Sequence, residues 1–400
     1  MKKLVPFIIA FVFGFQFINA QLQTCDCKTD LDFIVEKMKK MLSYKKQIKG
    51  EKAIELKNTY KSLSQKMAKP IGIEECFMLL LKQMNLVNDV HASLQINNEN
   101  NKLVFKPKIL YVNGSRKFQS LESIASELKK KGISDKEGVY DYGGEKIGVQ
   151  YFEKSKHFIG FVIKSNLENW TEGEIRFFLY PIGNDKYNMY YYKVDSKIPV
   201  YVKSLSFENG RVWSYKKEGN LNNYELLSEK INVASFKQIK PDIQYLYFKT
   251  FGNSKKKELK TFFEETKDKL TAKNIIVDLR SNSGGNKKYS DPFLKVLKNK
   301  NVYIITNCFT GSNGEQFTLK LLKNKNAKHL GQTTRGIISY GKNYGYYYNS
   351  PSGHFTITPT DMNFHRYIDY EGKGITPEIP LDFDRDWIEQ TLEIIEKDKD

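Results

Sequence analysis

The stretch from Asn274 to Glu315 constrains the fold more than any other part of the chain. It reads NIIVDLRSNSGGN, then a helical interval, then NVYIITNCFTGSNGE. Ile275, Ile276, Val277 and Leu279 make a buried-strand pattern that runs into a turn at Gly284 and Gly285. A second apolar strand, Val302 to Ile305, delivers Ser312 to the start of a helix. Glycines in a strand-to-helix turn let backbone N–H groups approach a ligand closely. A serine at a helix N-terminus, with free amides beside it, suits acyl-transfer chemistry.

The flanking sequence falls into three styles. Residues 21 to about 100 read as helices: Leu31, Ile34, Val35, Met38, Met41 and Leu42 recur at helical spacing after Asp30, a candidate N-cap. Ile54 to Met67 is a second amphipathic stretch, and Glu74 to Leu86 a third, leading to His91. Residues 101–236 carry short apolar and aromatic runs separated by Asn-Gly, Gly-Asn and Glu-Gly pairs, with one helix from Leu121 to Lys130. This reads as a mostly β domain, in which Tyr190 to Tyr192 are either a binding face or a strand with one face buried. From residue 237 to 400 strands alternate with helices, including strands around Tyr344–Tyr348 and His354–Thr358 and a helix from Trp387 to Ile395. That alternation is an α/β core.

Lys2 and Lys3 precede an apolar run from Leu4 to Phe15, with small residues ending at Ala20. The run is too short to span a bilayer, so residues 1–20 read as a signal peptide and the mature chain as exported, secreted or periplasmic, without an integral membrane span. Cleavage removes two lysines from a formal charge of +18. The remaining lysines are scattered and no binding motif accompanies them, so no nucleic-acid partner is expected. Of the four cysteines, Cys25 or Cys27 is placed to pair with Cys76, whereas Cys308 reads as an apolar filler. Neither the cysteines nor the five histidines show metal-ligand spacing, so no metal site is expected.

Three side chains are candidates for chemistry. Ser312 stands in Thr310-Gly311-Ser312-Asn313-Gly314-Glu315, where Ser312-x-x-Glu315 is also a capping box that needs no chemistry. The first glycine of a G-x-S-x-G elbow is replaced by Thr310. His91 is the candidate base, with His157, His329, His354 and His365 as competitors. Glu371 lies in a Gly-rich turn and is either an exposed turn acid or the carboxylate that orients the histidine.

These residues resemble the tail-specific (C-terminal processing) serine peptidase family, and more closely its tricorn-core-like branch. The resemblance rests on four motifs in order: Asp278-Leu279-Arg280-Ser281-Asn282-Ser283-Gly284-Gly285, then Thr310-x-Ser312-x-x-Glu315, then Gly331 to Gly336, then Glu371 to Ile379. It covers the last 160 or so residues plus a D-x-H element ending at His91. The position of the lysine base used by one branch is Ile337 here, and Val90 stands where the other branch has a helper serine. No PDZ-like segment is recognisable.

The resemblance implies a Clp-protease/crotonase-like core, no cofactor and a polypeptide substrate. Ser312 is then the nucleophile, His91 the base and Glu371 its orienting partner. The amides of Asn313 and of Gly284 or Gly285 form the oxyanion hole, and Asp278 and Arg280 support the glycine turn. The competing expectation is an inactive relative that binds peptides or another ligand of the cell envelope.

Overall fold

The computed structural model describes residues 23–98, 103–111, 120–227 and 232–399; the expected signal peptide lies outside them. A six-stranded sheet forms the core, ordered Ala234–Lys240, Ile243–Phe248, Asn274–Asp278, Asn301–Thr306, Ala327–Gly331, Ile379–Pro380. The first pair is antiparallel and the rest are parallel. Parallel strands covered on both faces carry continuous apolar runs. On one face Leu246, Phe248, Ile275, Val277, Val302 and Ile304 meet Phe251, Phe293 and Phe317. On the other, Ile243, Tyr245, Ile276, Tyr303 and Ile305 meet Trp387 and Ile395 of the last helix.

The N-terminal helices are Cys27–Lys40, Leu42–Gln47, Glu51–Lys66 and Ile73–Met84. The first is capped by Asp26, whose carboxylate accepts from Thr29 N, so the expected cap Asp30 lies one turn inside the helix. Asp30 is buried and receives the amide and hydroxyl of Ser352. A buried carboxylate needs such donors, and the helix spacing alone could not distinguish the two aspartates. Cys27, not Cys25, forms the disulfide with Cys76, tying the first helix to the fourth. Cys25 is a buried free thiol.

The β-rich region closes into an eight-stranded barrel between Gly138 and Lys217, with the helix Leu121–Lys129 against it. Closure removes sheet edges. Tyr190 and Tyr192 are buried, and their hydroxyls both reach Glu74 Oε1 on the fourth helix, at 2.9 and 2.5 Å. The tyrosine run is therefore a strand packed on the helical segment and not an open binding face. The N-terminal segment also reaches the core: Ser93–Ile96 pairs antiparallel with Phe355–Thr358. Tyr344, Tyr346 and Tyr347, expected in a strand, lie in an exposed loop; only Tyr348–Asn349 is paired. No described helix is long and apolar enough to cross a membrane.

Candidate active site

The strand Asn274–Asp278 ends in a buried ion pair. Arg280 donates to Asp278 through Nε at 3.0 Å and Nη2 at 2.6 Å, and Tyr245 donates to the same carboxylate oxygen at 2.9 Å. The chain then turns through Asn282, whose side-chain Nδ2 donates to Phe248 O and whose backbone carbonyl receives Gly311 N. Asn282 thereby stitches the glycine turn to the segment that carries Ser312.

Ser312 has φ +54° and ψ −121° and precedes the helix Asn313–Leu321. An N-cap normally sits in the β region, so capping does not account for this backbone. Such a conformation in a non-glycine residue costs on the order of 1–3 kcal/mol and persists only where its surroundings over-determine it. Here they do. Ser312 N donates to Ile337 O at 3.0 Å and to Glu315 Oε2 at 3.0 Å, the latter closing a capping box. Glu315, fully buried, also accepts from Ile337 N at 3.0 Å, Gly336 N at 2.6 Å and the Thr334 hydroxyl at 2.6 Å. Burial raises its pKa while these donors oppose the shift.

Gly284 faces Ser312. With φ +80°, a Cβ built on it would stand 2.5 Å from Ser312 Cβ and 2.9 Å from Asn313 N. Its amide is not available to an oxyanion, because it donates to Asn282 Oδ1 at 2.8 Å. Of the two glycines expected to offer the donor, Gly284 has its amide engaged and supplies clearance. Gly285 presses on the backbone of Phe251, whose oxygen would lie 2.1 Å from an added Cβ. No acceptor among the described residues takes the amides of Gly285 or Asn313. Gly284→Ala is expected to retain the fold and to lower any reaction at Ser312 by about 100-fold or more, through displacement of the reacting side chain. Reactivity and thermal melting measured on one preparation check this.

His91 lies in a turn closed by Asp89, whose Oδ1 accepts from Ala92 N at 3.0 Å and whose other oxygen takes the Thr360 hydroxyl. Burial pushes the imidazole down to about 4, against the pull of Asp89 and with Lys342, Arg335 and Lys203 adding to the depression. His91 Nδ1 is buried without a hydrogen-bond partner. Glu371 does not meet the ring. One of its oxygens accepts from Val90 N at 2.8 Å, the other from Ile338 N at 3.0 Å and Ser339 N at 2.7 Å. Burial raises this carboxyl to about 7, against those three amides. Glu371 is thus buried, not an exposed turn acid, and it orients the backbone next to His91 instead of the imidazole.

The three candidates meet through one network. Ser312 N binds Ile337 O; the next residue, Ile338, binds Glu371; Glu371 binds Val90, which precedes His91. Ser312 and His91 share no direct hydrogen bond. The competing histidines are engaged elsewhere: His329 Nε2 is 2.7 Å from Thr306 Oγ1, and His365 Nδ1 is 2.7 Å from Tyr340 OH. Cys308 sits beyond the strand Asn301–Thr306, its thiol pushed up to about 12 by burial, and so behaves as an inert filler.

Sequence reasoning did not single out Glu315 or Asn282 beyond their motifs, nor Lys203 or Ser204. The D-x-H spacing pointed to Asp89. Nothing in the local sequence marks the two barrel residues.

Residues 286–381 match the model of peptidase family S41. No curated protein matches the chain. Among solved structures, mature CPAF is 11% identical with a TM-score of 0.43, covering 93% of this chain and 97% of its own. The photosystem II D1 C-terminal processing protease is 12% identical with a TM-score of 0.39, covering 88% and 93%. The tricorn protease is 12% identical with a TM-score of 0.43, covering 93% of this chain and 37% of its own.

Proposed function

We propose, from the match of residues 286–381 to peptidase family S41, that the chain hydrolyses peptide bonds with Ser312 as nucleophile and His91 as general base. The observation that carries the assignment is the backbone of Ser312, held at φ +54° by Glu315 and Ile337. Strain of this kind has no role in a helix cap and a clear one in aiming a nucleophile.

The Ser312 hydroxyl attacks the substrate carbonyl as His91 accepts its proton. The amides of Asn313 and Gly285 receive the developing oxyanion; one such donor is typically worth about 2.7–4 kcal/mol in the transition state. His91 returns the proton to the leaving amine, and water then releases the acyl group by the reverse proton route. Its depressed pKa keeps the imidazole neutral and able to accept. Glu371 fixes the turn in which His91 sits. The route to substrate is export: the charged and apolar start of the chain is removed after Ala20, leaving a secreted or periplasmic enzyme.

The test is proteolysis of a reduced, unfolded polypeptide by the purified mature chain, with fragments identified by mass. Cleavage by the wild type that is absent from Ser312→Ala supports the assignment. Equal cleavage by both would end it. A second reading, a peptide-binding protein without turnover, is favoured by the unpartnered His91 Nδ1 and the missing direct bond between His91 and Ser312. It predicts saturable peptide binding by wild type and Ser312→Ala alike, with no fragments from either.

A further inference from the structure

The barrel reaches into the candidate site at one irregular point. Between the paired strands Lys186–Tyr192 and Pro199–Glu208 the register shifts, so that Lys203 and Ser204 oppose the single residue Asn188. This is a β-bulge, a device that re-aims side chains. Ser204 has φ +56°, and its amide is held by Asn188 Oδ1 at 3.1 Å.

The two bulge side chains leave the barrel for different loops of the site. Lys203 Nζ donates to Asp89 O at 2.8 Å and to Ala92 O at 3.1 Å, the carbonyls on either side of His91. The Ser204 hydroxyl donates to Arg335 O at 2.6 Å, with Gly372 O also in reach at 3.1 Å. Gly372 follows Glu371, and Arg335 begins the segment whose Ile337 carbonyl holds Ser312. Lys186, on the neighbouring barrel strand, adds a bond from Nζ to Thr334 O at 2.7 Å.

We propose that this bulge is a positioning device for the reaction: Lys203 seats the His91 turn and Ser204 seats the Glu371 turn, so that the barrel sets the imidazole relative to Ser312. The inference rests on the peptidase reading above. Two observations favour positioning over simple adhesion between barrel and core. First, the imidazole lacks an orienting partner at Nδ1, so its seat depends on the backbone at both ends of its turn. Second, the grip is made by a desolvated ammonium. Burial lowers the pKa of Lys203 while Asp89 and Glu371 oppose that and Lys342 adds to it. Apolar contact would join two domains without desolvating a charge. Lys203 and Ser204 act through other groups and are positioning residues.

The experiment is the rate at which a fluorophosphonate labels Ser312 in the full mature chain, as a function of pH, for wild type, Lys203→Met, Lys203→Arg and Ser204→Ala, with melting curves for each. Lys203→Met is expected to label about tenfold or more slowly, because the base is no longer held in register. Its labelling profile is expected to shift to higher pH, since one cation facing His91 is gone while Asp89, Lys342 and Arg335 remain. Lys203→Arg, which keeps the charge and donors, recovers most of the rate and the original profile. The profile shift follows from the lost charge alone; a purely structural contact would leave the labelling rate on the pH plateau unchanged in folded Lys203→Met. A folded Lys203→Met that labels at the wild-type rate with the wild-type profile overturns the proposal. Where Lys203→Met fails to fold, Ser204→Ala decides: slower labelling at near-native melting supports the clamp, and an unchanged rate overturns it. A wild type that takes no label, beside a control serine hydrolase that does, overturns the peptidase reading and the clamp with it.

Discussion

His91→Ala is expected to slow reaction at Ser312 by about 10⁴-fold, the upper range for loss of a positioned general base. The expected effect on stability is much smaller. The imidazole is part-buried with Nδ1 buried and unsatisfied, so its removal deletes an uncompensated polar atom as well as packing. A shift of no more than about 1–2 kcal/mol is expected, the range for a modest cavity offset by that deletion. The pH profile of the wild type gives a second handle. Burial holds His91 down to about 4, so the acid limb belonging to it falls near that pH and not at the 6.5 of a solvated histidine. An inflection closer to neutrality belongs to Glu371, which burial raises to about 7. An acid limb at pH 6.5 that vanishes in His91→Ala would show an imidazole in water, and the site would differ from the one described.

Glu315→Ala is expected to have the largest effect on stability. Its carboxylate is the common acceptor for three backbone amides and a hydroxyl. Removing it strands Gly336 N, Ile337 N and the Thr334 hydroxyl, since Ser312 N keeps Ile337 O, and each stranded group costs about 1–3 kcal/mol. Water entry and relaxation recover part of this, so a loss of about 4 kcal/mol or more is the expectation. Reactivity should fall steeply as well, because Ser312 N loses one of the two bonds that hold its strained backbone and the other, to Ile337 O, lies in a segment that Glu315 also holds. Glu315→Gln is intermediate: it keeps the volume but turns an NH₂ toward amide donors. Denaturant midpoints at constant slope measure both. A change below about 1 kcal/mol in Glu315→Ala would mean that the Thr334–Ile337 segment does not depend on this carboxylate.

The parts of the molecule that were legible in the sequence are those specified by short-range chemistry. The apolar runs at Ile275 and Val302 could be read as strands because parallel strands covered on both faces have no polar positions to disguise them. The turn at Gly284 announced itself because only glycine tolerates its φ and its approach to Ser312. Even so, the sequence could not say that Asn282 would occupy the Gly284 amide, which depends on a side-chain rotamer.

What depends on distant partners was less legible. Glu371 could be singled out as a candidate from its Gly-rich turn, yet its three amide donors come from Val90, Ile338 and Ser339, far away in the chain. Asp30 resembled a cap because its true partner, Ser352, is 322 residues distant. Lys203 and Ser204 resembled ordinary residues of an amphipathic strand. A bulge is set by pairing register, and pairing register is not visible in one strand alone.

The proposal that Ser312 is an activated nucleophile and not only a helix cap stands on its strained backbone. Its most direct test is fluorophosphonate labelling of the folded mature chain, with the modified peptide mapped by mass and Ser312→Ala run in parallel. One adduct is expected, on Ser312, absent from the variant and formed far more slowly in His91→Ala. A folded wild type that remains unlabelled under conditions that modify a control serine hydrolase, or that carries its adduct on another residue, would contradict it.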